Sequence, residues 1–229
     1  MAELASALDE VASSDASVLV VTGGGTRVFV AGGDLKELAS IRTLDEATEM
    51  AQTMRSVLDR LSSLAIPVLG AINGDAYGGG AEVAVACDMR LAASDVRCAF
   101  NQVALGIMPA WGGIERLTAL IGPGRALKLL STGAVLSAHE ALEQGLFDEV
   151  VERELFEERW HTVAAQIARA PRRALIGIKA AQRAALPLVR PELAAAAIAS
   201  FAKTWVDEDH WRMAEEADQR RRDAAKRRS

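Results

Sequence analysis

The sequence predicts an α/β fold, because short apolar runs alternate with amphipathic helical segments over the first two thirds of the chain. The runs at 18–21, 67–72 and 89–92 are mostly aliphatic and short, which is typical of buried strands. From about residue 155 onward the pattern is almost wholly helical. A chain of 229 residues, half of them apolar, is long enough to bury one sizeable core.

The remaining elements follow from spacing and from helix breakers. Leu4, Leu8 and Val11 recur at helical spacing, so the chain is expected to open in a helix over 1–12. The segment 44–64 is amphipathic and contains neither Gly nor Pro. A further strand is predicted near 149–151. Prolines at positions 171, 187 and 191 interrupt the helical pattern in the last part of the chain. The other predicted helices cover 81–86, 113–121, 124–131, 138–143, 155–169, 173–186 and 191–222.

Composition excludes several classes of protein. The net charge is −5, with 26 basic and 31 acidic residues, so a chain-wide nucleic-acid surface is not expected. No apolar run approaches the roughly 18–20 residues that span a bilayer, and the N-terminus has no secretory pattern. We therefore predict a cytoplasmic protein with no membrane or nucleic-acid partner. Cys87 and Cys98 define no disulfide framework and are predicted to be buried, reduced thiols.

The first informative motif leaves a strand and enters a turn at Ala31-Gly32-Gly33-Asp34. Two glycines allow a ligand to approach the backbone closely, and their freed N–H groups can point at an acceptor. The alternative is a simple strand-to-helix turn that Asp34 caps. The residues alone leave both interpretations open.

The second motif is Gly74-Asp75-Ala76-Tyr77-Gly78-Gly79-Gly80-Ala81-Glu82, in which a glycine triplet follows a buried strand and opens a helix. Backbone donors and the positive end of a helix can hold a developing anion there. Glu82 is either a favourable charge in the first helical turn or a carboxylate of a site. Neither motif has the ending of a phosphate loop or the spacing of a dinucleotide fingerprint.

Together these motifs resemble the crotonase superfamily, which includes the enoyl-CoA hydratases and isomerases. Three later segments, spread over nearly the whole chain, also resemble the family in its order. They are 87–92, the turn at 106–113, and the segment from Ala138 to Val151.

The resemblance implies a crotonase-like spiral of ββα units over 1–152, followed by a helical region over 153–229 that packs trimers. Because Met1-Ala2-Glu3-Leu4 already resembles the first helix, the usual first β-hairpin is expected to be absent.

The resemblance also implies the chemistry. The substrate would be an acyl-CoA thioester, with coenzyme A as part of the substrate and with no separate cofactor or metal. The backbone N–H groups of Ala31 and Gly79 would hold the enolate oxygen, and Glu82 would move the proton. The assembly would be a homotrimer or a dimer of trimers. The expected substrate-binding residues are Gly32, Gly33, Asp34, Gly78, Pro109 and Trp111.

Two departures from the family pattern leave the type of reaction undecided. Gln102 stands where hydratases have their second glutamate, and it cannot transfer protons at neutral pH. Trp111 replaces a small residue, which is similar to the ethylmalonyl-CoA decarboxylase branch; a plain core or pocket-wall aromatic is the alternative. The sequence therefore allows a hydratase or isomerase, a decarboxylase of malonyl-type thioesters, or a catalytically silent homologue.

Several charged residues remain to be assigned. His139, His161 and His210 are expected to be solvated or capping residues. Glu115 is predicted to be a helix N-terminal charge, with a second site carboxylate as the alternative. The basic run at the C-terminus, from Arg220 to Arg228, is expected to be a solvated tail, or else to lie near the phosphates of coenzyme A.

Overall fold

The structure is a computed structural model that describes residues 2–33, 38–185 and 191–226. Within these ranges two sheets of four strands form the framework. The first sheet has the strand order β1-β3-β5-β8, and all its neighbours are parallel. Its strands are β1 (Leu19–Thr22), β3 (Val68–Ile72), β5 (Met89–Ala93) and β8 (Glu149–Val151).

The second sheet has the order β2-β4-β6-β7, in which only the β6–β7 pairing is antiparallel. Its strands are β2 (Val28–Val30), β4 (Asp75–Tyr77), β6 (Arg97–Ala99) and β7 (Leu136–Ser137). Successive strands therefore alternate between the sheets: β1, β3 and β5 enter the first, and β2, β4 and β6 enter the second. This alternation is the predicted ββα spiral, and the crotonase-like fold class is confirmed.

The helices agree closely with the expected segments. They are α1 (Ala2–Ser13), α2 (Leu44–Ser63), α3 (Gly79–Ala86), α4 (Gly113–Ile121), α5 (Pro123–Thr132), α6 (Ala138–Glu143), α7 (Arg153–Ala168), α8 (Arg172–Ala185), α9 (Pro191–Trp205) and α10 (Glu208–Lys226). A short 3₁₀ helix covers Gln102–Leu105. Capping boxes define two of the starts, since Thr43 pairs with Glu46 before α2 and Ser137 pairs with Glu140 before α6.

The core is built from the two sheets and the helices α2, α3 and α4, and α9 adds Phe201 and Trp205 to it. Every residue of β3 is buried, and so is every residue of α3 after Gly79. Cys87 and Cys98 are free and buried, as predicted, and burial raises the pKa of each thiol to about 12. In the described part of the chain, no helix combines the length and the apolar character needed to cross a bilayer.

The prediction of one helix over 191–222 was wrong, because the chain breaks after Trp205 and resumes in α10 at Glu208. The carboxylate of Asp207 accepts a hydrogen bond from the backbone N–H of Asp209 at 2.9 Å, which caps the new helix. The break lets the two helices pack in different places. Helix α9 packs along α2, and α10 packs on the 3₁₀ helix.

Candidate active site

A cavity of about 930 Å³ opens between the two glycine segments, the 3₁₀ helix and the C-terminal helices. It brings together eight of the ten residues that the sequence predicted for the site, which are Ala31, Gly32, Gly33, Gly78, Gly79, Glu82, Gln102 and Trp111. Pro109 is buried in the same turn as Trp111 but does not line the cavity. Asp34 lies outside the described residues.

The two glycine segments meet at Gly32 and Gly79. A β-carbon at Gly32 would lie 3.2 Å from the Gly79 nitrogen, so the segments are in direct backbone contact. Gly79 is the first residue of α3, and an N–H group there has no acceptor within its own helix. Ala31 immediately follows β2, next to this contact. The geometry therefore places two backbone segments around one point of the cavity.

Trp111 covers the Gly79 side of that point. A β-carbon at Gly79 would lie only 2.1 Å from Cζ3 of Trp111, so the indole ring packs directly against the glycine Cα. Glycine is required here by the close approach of the ring. Of the two interpretations offered for Trp111, the pocket wall agrees with this position, because the ring lines the cavity and is 9% exposed.

Glu82 is the buried carboxylate of the cavity, one helical turn after Gly79. Its Oε2 accepts hydrogen bonds from the backbone N–H groups of Trp111 and Gly113, each at 2.8 Å. Its Oε1 accepts a hydrogen bond from Nε2 of Gln102 at 3.1 Å. Three donors from two other segments therefore orient this side chain, and a fully buried group of this kind is more than a charge at a helix end.

Burial raises the pKa of Glu82 to about 7. Hydrogen bonds from the Gly113 and Trp111 backbone and the positive charge of Arg116 act in the opposite direction, and the charge of Glu115 adds to the rise. A carboxyl group with this pKa is present in both protonation states near neutral pH. It can therefore take up a proton and release it again during one reaction cycle.

Gln102 lies on the 3₁₀ helix and lines the same cavity. Its Nε2 donates to Glu82, while its Oε1 is buried with no hydrogen-bond partner among the described residues. The amide cannot move protons, but it holds the carboxylate and leaves one acceptor atom for a donor. The residue that the family resemblance placed at the position of the second glutamate thus contacts Glu82.

The sequence did not reveal a group of charged residues behind the site. Arg116 donates from Nη1 to the Trp111 carbonyl oxygen at 2.8 Å and from Nη2 to Asp59 at 2.5 Å. Glu115, predicted to be a helix N-terminal charge, forms an ion pair with the buried Arg55 at 2.9 Å. Neither Glu115 nor Asp59 lines the cavity. The sequence did offer one sign of this group: Arg55 and Arg116 occupy positions of their helices that otherwise face the core.

His210 was expected to be solvated or capping, and this was wrong because its side chain is fully buried at the start of α10. Its Nδ1 lies 2.6 Å from the carbonyl oxygen of Leu105, an acceptor, so Nδ1 carries the proton. Its ring packs against Trp205 and Trp211. His210 thus fastens α10 to the end of the 3₁₀ helix that carries Gln102.

The part of the cavity lined by Arg42, Trp211 and the end of α10, called the mouth below, carries charges of both signs, since Glu215 and Asp218 line it beside the arginines. Arg42 packs over the ring of Trp211 at 3.4 Å from the centroid, and both residues line the opening. Arg221 and Arg222, from the basic run, also line it. The first part of that run therefore lies at the cavity rather than in a separate tail, while Arg227 and Arg228 lie outside the described residues. No group of three metal-ligating side chains occurs among the residues described.

Comparison with known proteins agrees with this geometry. The model of the family described as enoyl-CoA hydratase/isomerase matches residues 1–223. The chain belongs to this family. The match takes in both glycine segments, the 3₁₀ helix and almost all of α10, so every wall of the cavity lies within it.

Curated relatives match about three fifths of the chain. A crotonyl-CoA hydratase of Syntrophomonas wolfei is 41% identical over 137 residues, which are 60% of this chain and 52% of the relative. A short-chain-enoyl-CoA hydratase of Clostridium acetobutylicum is 41% identical over 139 residues, which are 61% of this chain and 53% of the relative. The chain thus spans about half the length of the curated relatives that it matches.

Solved structures extend the similarity to the whole fold. The enoyl-CoA hydratase from Bacillus anthracis is 32% identical with a TM-score of 0.78, covering 96% of this chain and 85% of that one. An enoyl-CoA hydratase subunit from Geobacillus kaustophilus is 36% identical with a TM-score of 0.75, covering 98% and 82% of the two chains.

Proposed function

We propose that this member of the enoyl-CoA hydratase/isomerase family acts on an acyl-CoA thioester through an enolate, with the oxygen held by the N–H groups of Ala31 and Gly79. The observation that supports it most is the burial of Glu82 in the cavity one helical turn from Gly79. Fixed donors stabilise the enolate oxygen more than the neutral carbonyl, because negative charge develops there only during the reaction.

In the hydratase reaction, Glu82 would carry out both proton transfers. Its carboxylate takes a proton from water while the water oxygen bonds to Cβ of the enoyl group, and the electron pair of the double bond passes into the enolate. The neutral Glu82 then returns a proton to Cα. In an isomerase reaction, the same group removes a proton from one carbon and delivers it to another. Both cycles leave Glu82 as it began.

The hydrogen bonds of Glu82 agree with this role. A carboxylate offers about four acceptor positions, and the Trp111, Gly113 and Gln102 donors take three of them. The fourth lies on Oε1, the oxygen that Gln102 contacts. A water bound there could also donate its second hydrogen to the unpartnered Oε1 of Gln102. Gln102 would then orient the water without exchanging protons with it.

Decarboxylation of a malonyl-type CoA thioester is the second candidate. It is favoured by the pKa of about 7 that burial gives Glu82, since this keeps a neutral acid available near pH 7. The bond from Cα to the carboxylate would break, carbon dioxide would leave, and the electron pair would form the same enolate. Glu82 would then protonate Cα. The reaction needs no activated water, and Gln102 in place of a second glutamate removes one source of charge repulsion.

The arginines at the mouth favour a substrate that carries phosphate groups. Three arginines at the mouth, Arg42, Arg221 and Arg222, outnumber the carboxylates of Glu215 and Asp218. The phosphates of coenzyme A would lie beside these arginines if the thioester reached Gly79. Coenzyme A is then part of the substrate, and a trimeric assembly and a cytoplasmic location remain predictions. A third alternative, a silent homologue that only binds coenzyme A, needs the same mouth but no proton transfer.

The deciding experiment incubates the protein with 2-enoyl-CoAs, methylmalonyl-CoA and ethylmalonyl-CoA and follows the masses of the products. A gain of one water identifies a hydratase, and loss of carbon dioxide identifies a decarboxylase. In parallel, butyryl-CoA in D₂O reports enolate formation through deuterium uptake at Cα. We expect uptake, and we expect Glu82→Gln to abolish it. Absence of every product and of uptake, with coenzyme A still bound, would leave the silent homologue.

A further inference from the structure

Arg116 is a buried cation on the far side of the turn that holds Glu82. Only 8% of its surface is exposed. Its Nη1 donates to the Trp111 carbonyl oxygen at 2.8 Å, and its Nη2 donates to Asp59 at 2.5 Å and to the Ser62 hydroxyl oxygen at 3.3 Å. A buried charge is tolerated only when such partners compensate it. Arg116 therefore ties the start of α4 to the end of α2.

Trp111 connects this cation to the site through one residue. Its N–H donates to Glu82, and its carbonyl oxygen accepts from Arg116. The guanidinium also packs on the next residue, since a β-carbon at Gly112 would lie 2.1 Å from Nη1, and Gly112 has a φ of +91°. The peptide groups that orient the Glu82 carboxylate are thus held from behind by a positive charge.

The charged chain continues away from the cavity. Arg55 Nη1 donates to Glu115 Oε1 at 2.9 Å, and Arg55 Nε lies 3.4 Å from Oδ2 of Asp59. The side chain of Asp59 is 48% exposed, whereas those of Arg55, Glu115 and Arg116 are 16% exposed or less. Asp59 is therefore the solvent-facing member of the group, and its charge can be changed without opening a hole in the core.

We infer that Arg116 is a positioning residue for Glu82: it fixes the turn from Trp111 to Gly113 and favours the carboxylate form of Glu82, and the negative charge of Asp59 partly offsets its effect. Opposite charges near a carboxyl group stabilise its ionised form. The consequence for turnover rests on the proposed function, since it matters only if Glu82 moves the proton. The effect of Arg116 on the ionisation of Glu82 is independent of the proposed function.

The test is a pH titration of the Glu82 carboxyl group by NMR, in protein labelled with ¹³C at the glutamate side-chain carboxyl carbon. The Glu82 signal is assigned by its loss in Glu82→Gln. In Arg116→Gln we expect the pKa of Glu82 to rise by roughly half to one pH unit. In Asp59→Asn we expect it to fall, because the negative charge of Asp59 then no longer offsets the positive charge of Arg116 at Glu82. Arg60→Gln, on the exposed face of α2 beside Asp59, should leave it unchanged.

The opposite signs separate a charge effect from a general loosening of the fold. Arg116→Lys keeps the charge on a shorter side chain, so it should restore most of the wild-type pKa. If Arg116→Gln does not fold, the fall in Asp59→Asn still decides the question. An unchanged pKa in folded Arg116→Gln, no fall in Asp59→Asn, or a rise in both variants would overturn the inference. The titration needs no substrate, so deuterium uptake by Glu82→Gln would refute the proposed function separately.

Discussion

The inner end and the mouth of the cavity are built in opposite ways. At the inner end, Glu82 is buried and held by three donors from two segments distant in sequence. At the mouth, Arg42 packs on Trp211, but the other two arginines, Arg221 and Arg222, extend from a single helix, and the ion pair of Arg222 with Asp218 stays on that helix. The inner end therefore depends on several chain segments at once, whereas the mouth depends on local charge. Substitutions should cost far more at the inner end.

The largest effect is expected from Glu82→Gln. Glutamine keeps the shape of the side chain but cannot carry a proton, so deuterium uptake into butyryl-CoA should fall by at least about 100-fold. Binding of coenzyme A, measured by calorimetry, should change little because the mouth is untouched. Unimpaired deuterium uptake in the variant would mean that another group transfers the proton. The inner end of the cavity would then be no more sensitive to substitution than the mouth.

Gly79→Ala should be nearly as severe. The added methyl group would lie 2.1 Å from the Trp111 ring, so either the ring or the backbone donor must move. Loss of one oxyanion donor typically lowers the rate by about 100- to 1,000-fold. Gly24→Ala is the matched control, since nothing lies within 4 Å of a β-carbon there.

A double variant sharpens this test. If the clash with the ring is the cause, adding Gly79→Ala to Trp111→Ala should cost less than adding it to the wild type. Equal costs in both backgrounds would place the damage elsewhere than at the ring.

The next effect concerns stability and pH. The pKa of Glu82 rises from 4.5 to about 7 on folding, so the folded state binds the proton more tightly than the unfolded state. The resulting stabilisation is complete below pH 4.5 and is lost as the pH rises through 7, a change of about 3 kcal/mol in the free energy of unfolding. Glutamine does not titrate, so the free energy of unfolding of Glu82→Gln should not show this decrease.

Urea unfolding of both proteins at pH 5 and pH 8 measures the difference. The free energy of unfolding of Glu82→Gln, relative to that of the wild type, should be larger at pH 8 than at pH 5. Glu140→Gln is the control: capping hydrogen bonds lower the pKa of Glu140 from 4.5, so its contribution to stability is lost only as the pH falls below that value and should be nearly constant between pH 5 and pH 8. An advantage of Glu82→Gln that does not vary with pH would mean that Glu82 titrates in its ordinary range.

The smallest effect is expected at the mouth. Arg221→Gln should weaken binding of coenzyme A by about threefold at low salt, and the difference should fade at high ionic strength, because exposed charges are screened. Arg220→Gln is the control on the same helix, since Arg220 pairs with Glu216 and does not line the cavity. A loss of more than about 100-fold would mean that the mouth is as tightly built as the inner end.

The sequence predicted the parts of this site that depend on local chain geometry. A glycine triplet between a strand and a helix indicates where backbone donors lie, whereas Gln102 was identified through the family resemblance. The apolar runs identified β1, β3 and β5 to within a residue at each end. The glycine triplet and these strands are encoded by neighbours in the chain, so their spacing reveals them.

Other features depend on contacts between distant segments and could not be predicted in this way. The strands β4, β6 and β7 are only two or three residues long, too short for a period to be visible. His210 is buried because α10 folds back onto the end of the 3₁₀ helix, 105 residues earlier. Asp59 and Arg116 are 57 residues apart, and nothing near either residue in the sequence indicates the other. In each case the partner is supplied by the fold.

The lining of the cavity has a practical consequence. The chain contains four tryptophans, and Trp111, Trp205 and Trp211 all line the cavity, while Trp160 stacks on His161. The intrinsic fluorescence of the unmodified protein therefore comes mainly from rings that line the cavity. Ligands can be screened by emission alone, without a label or a coupled enzyme, and before the acyl group is identified.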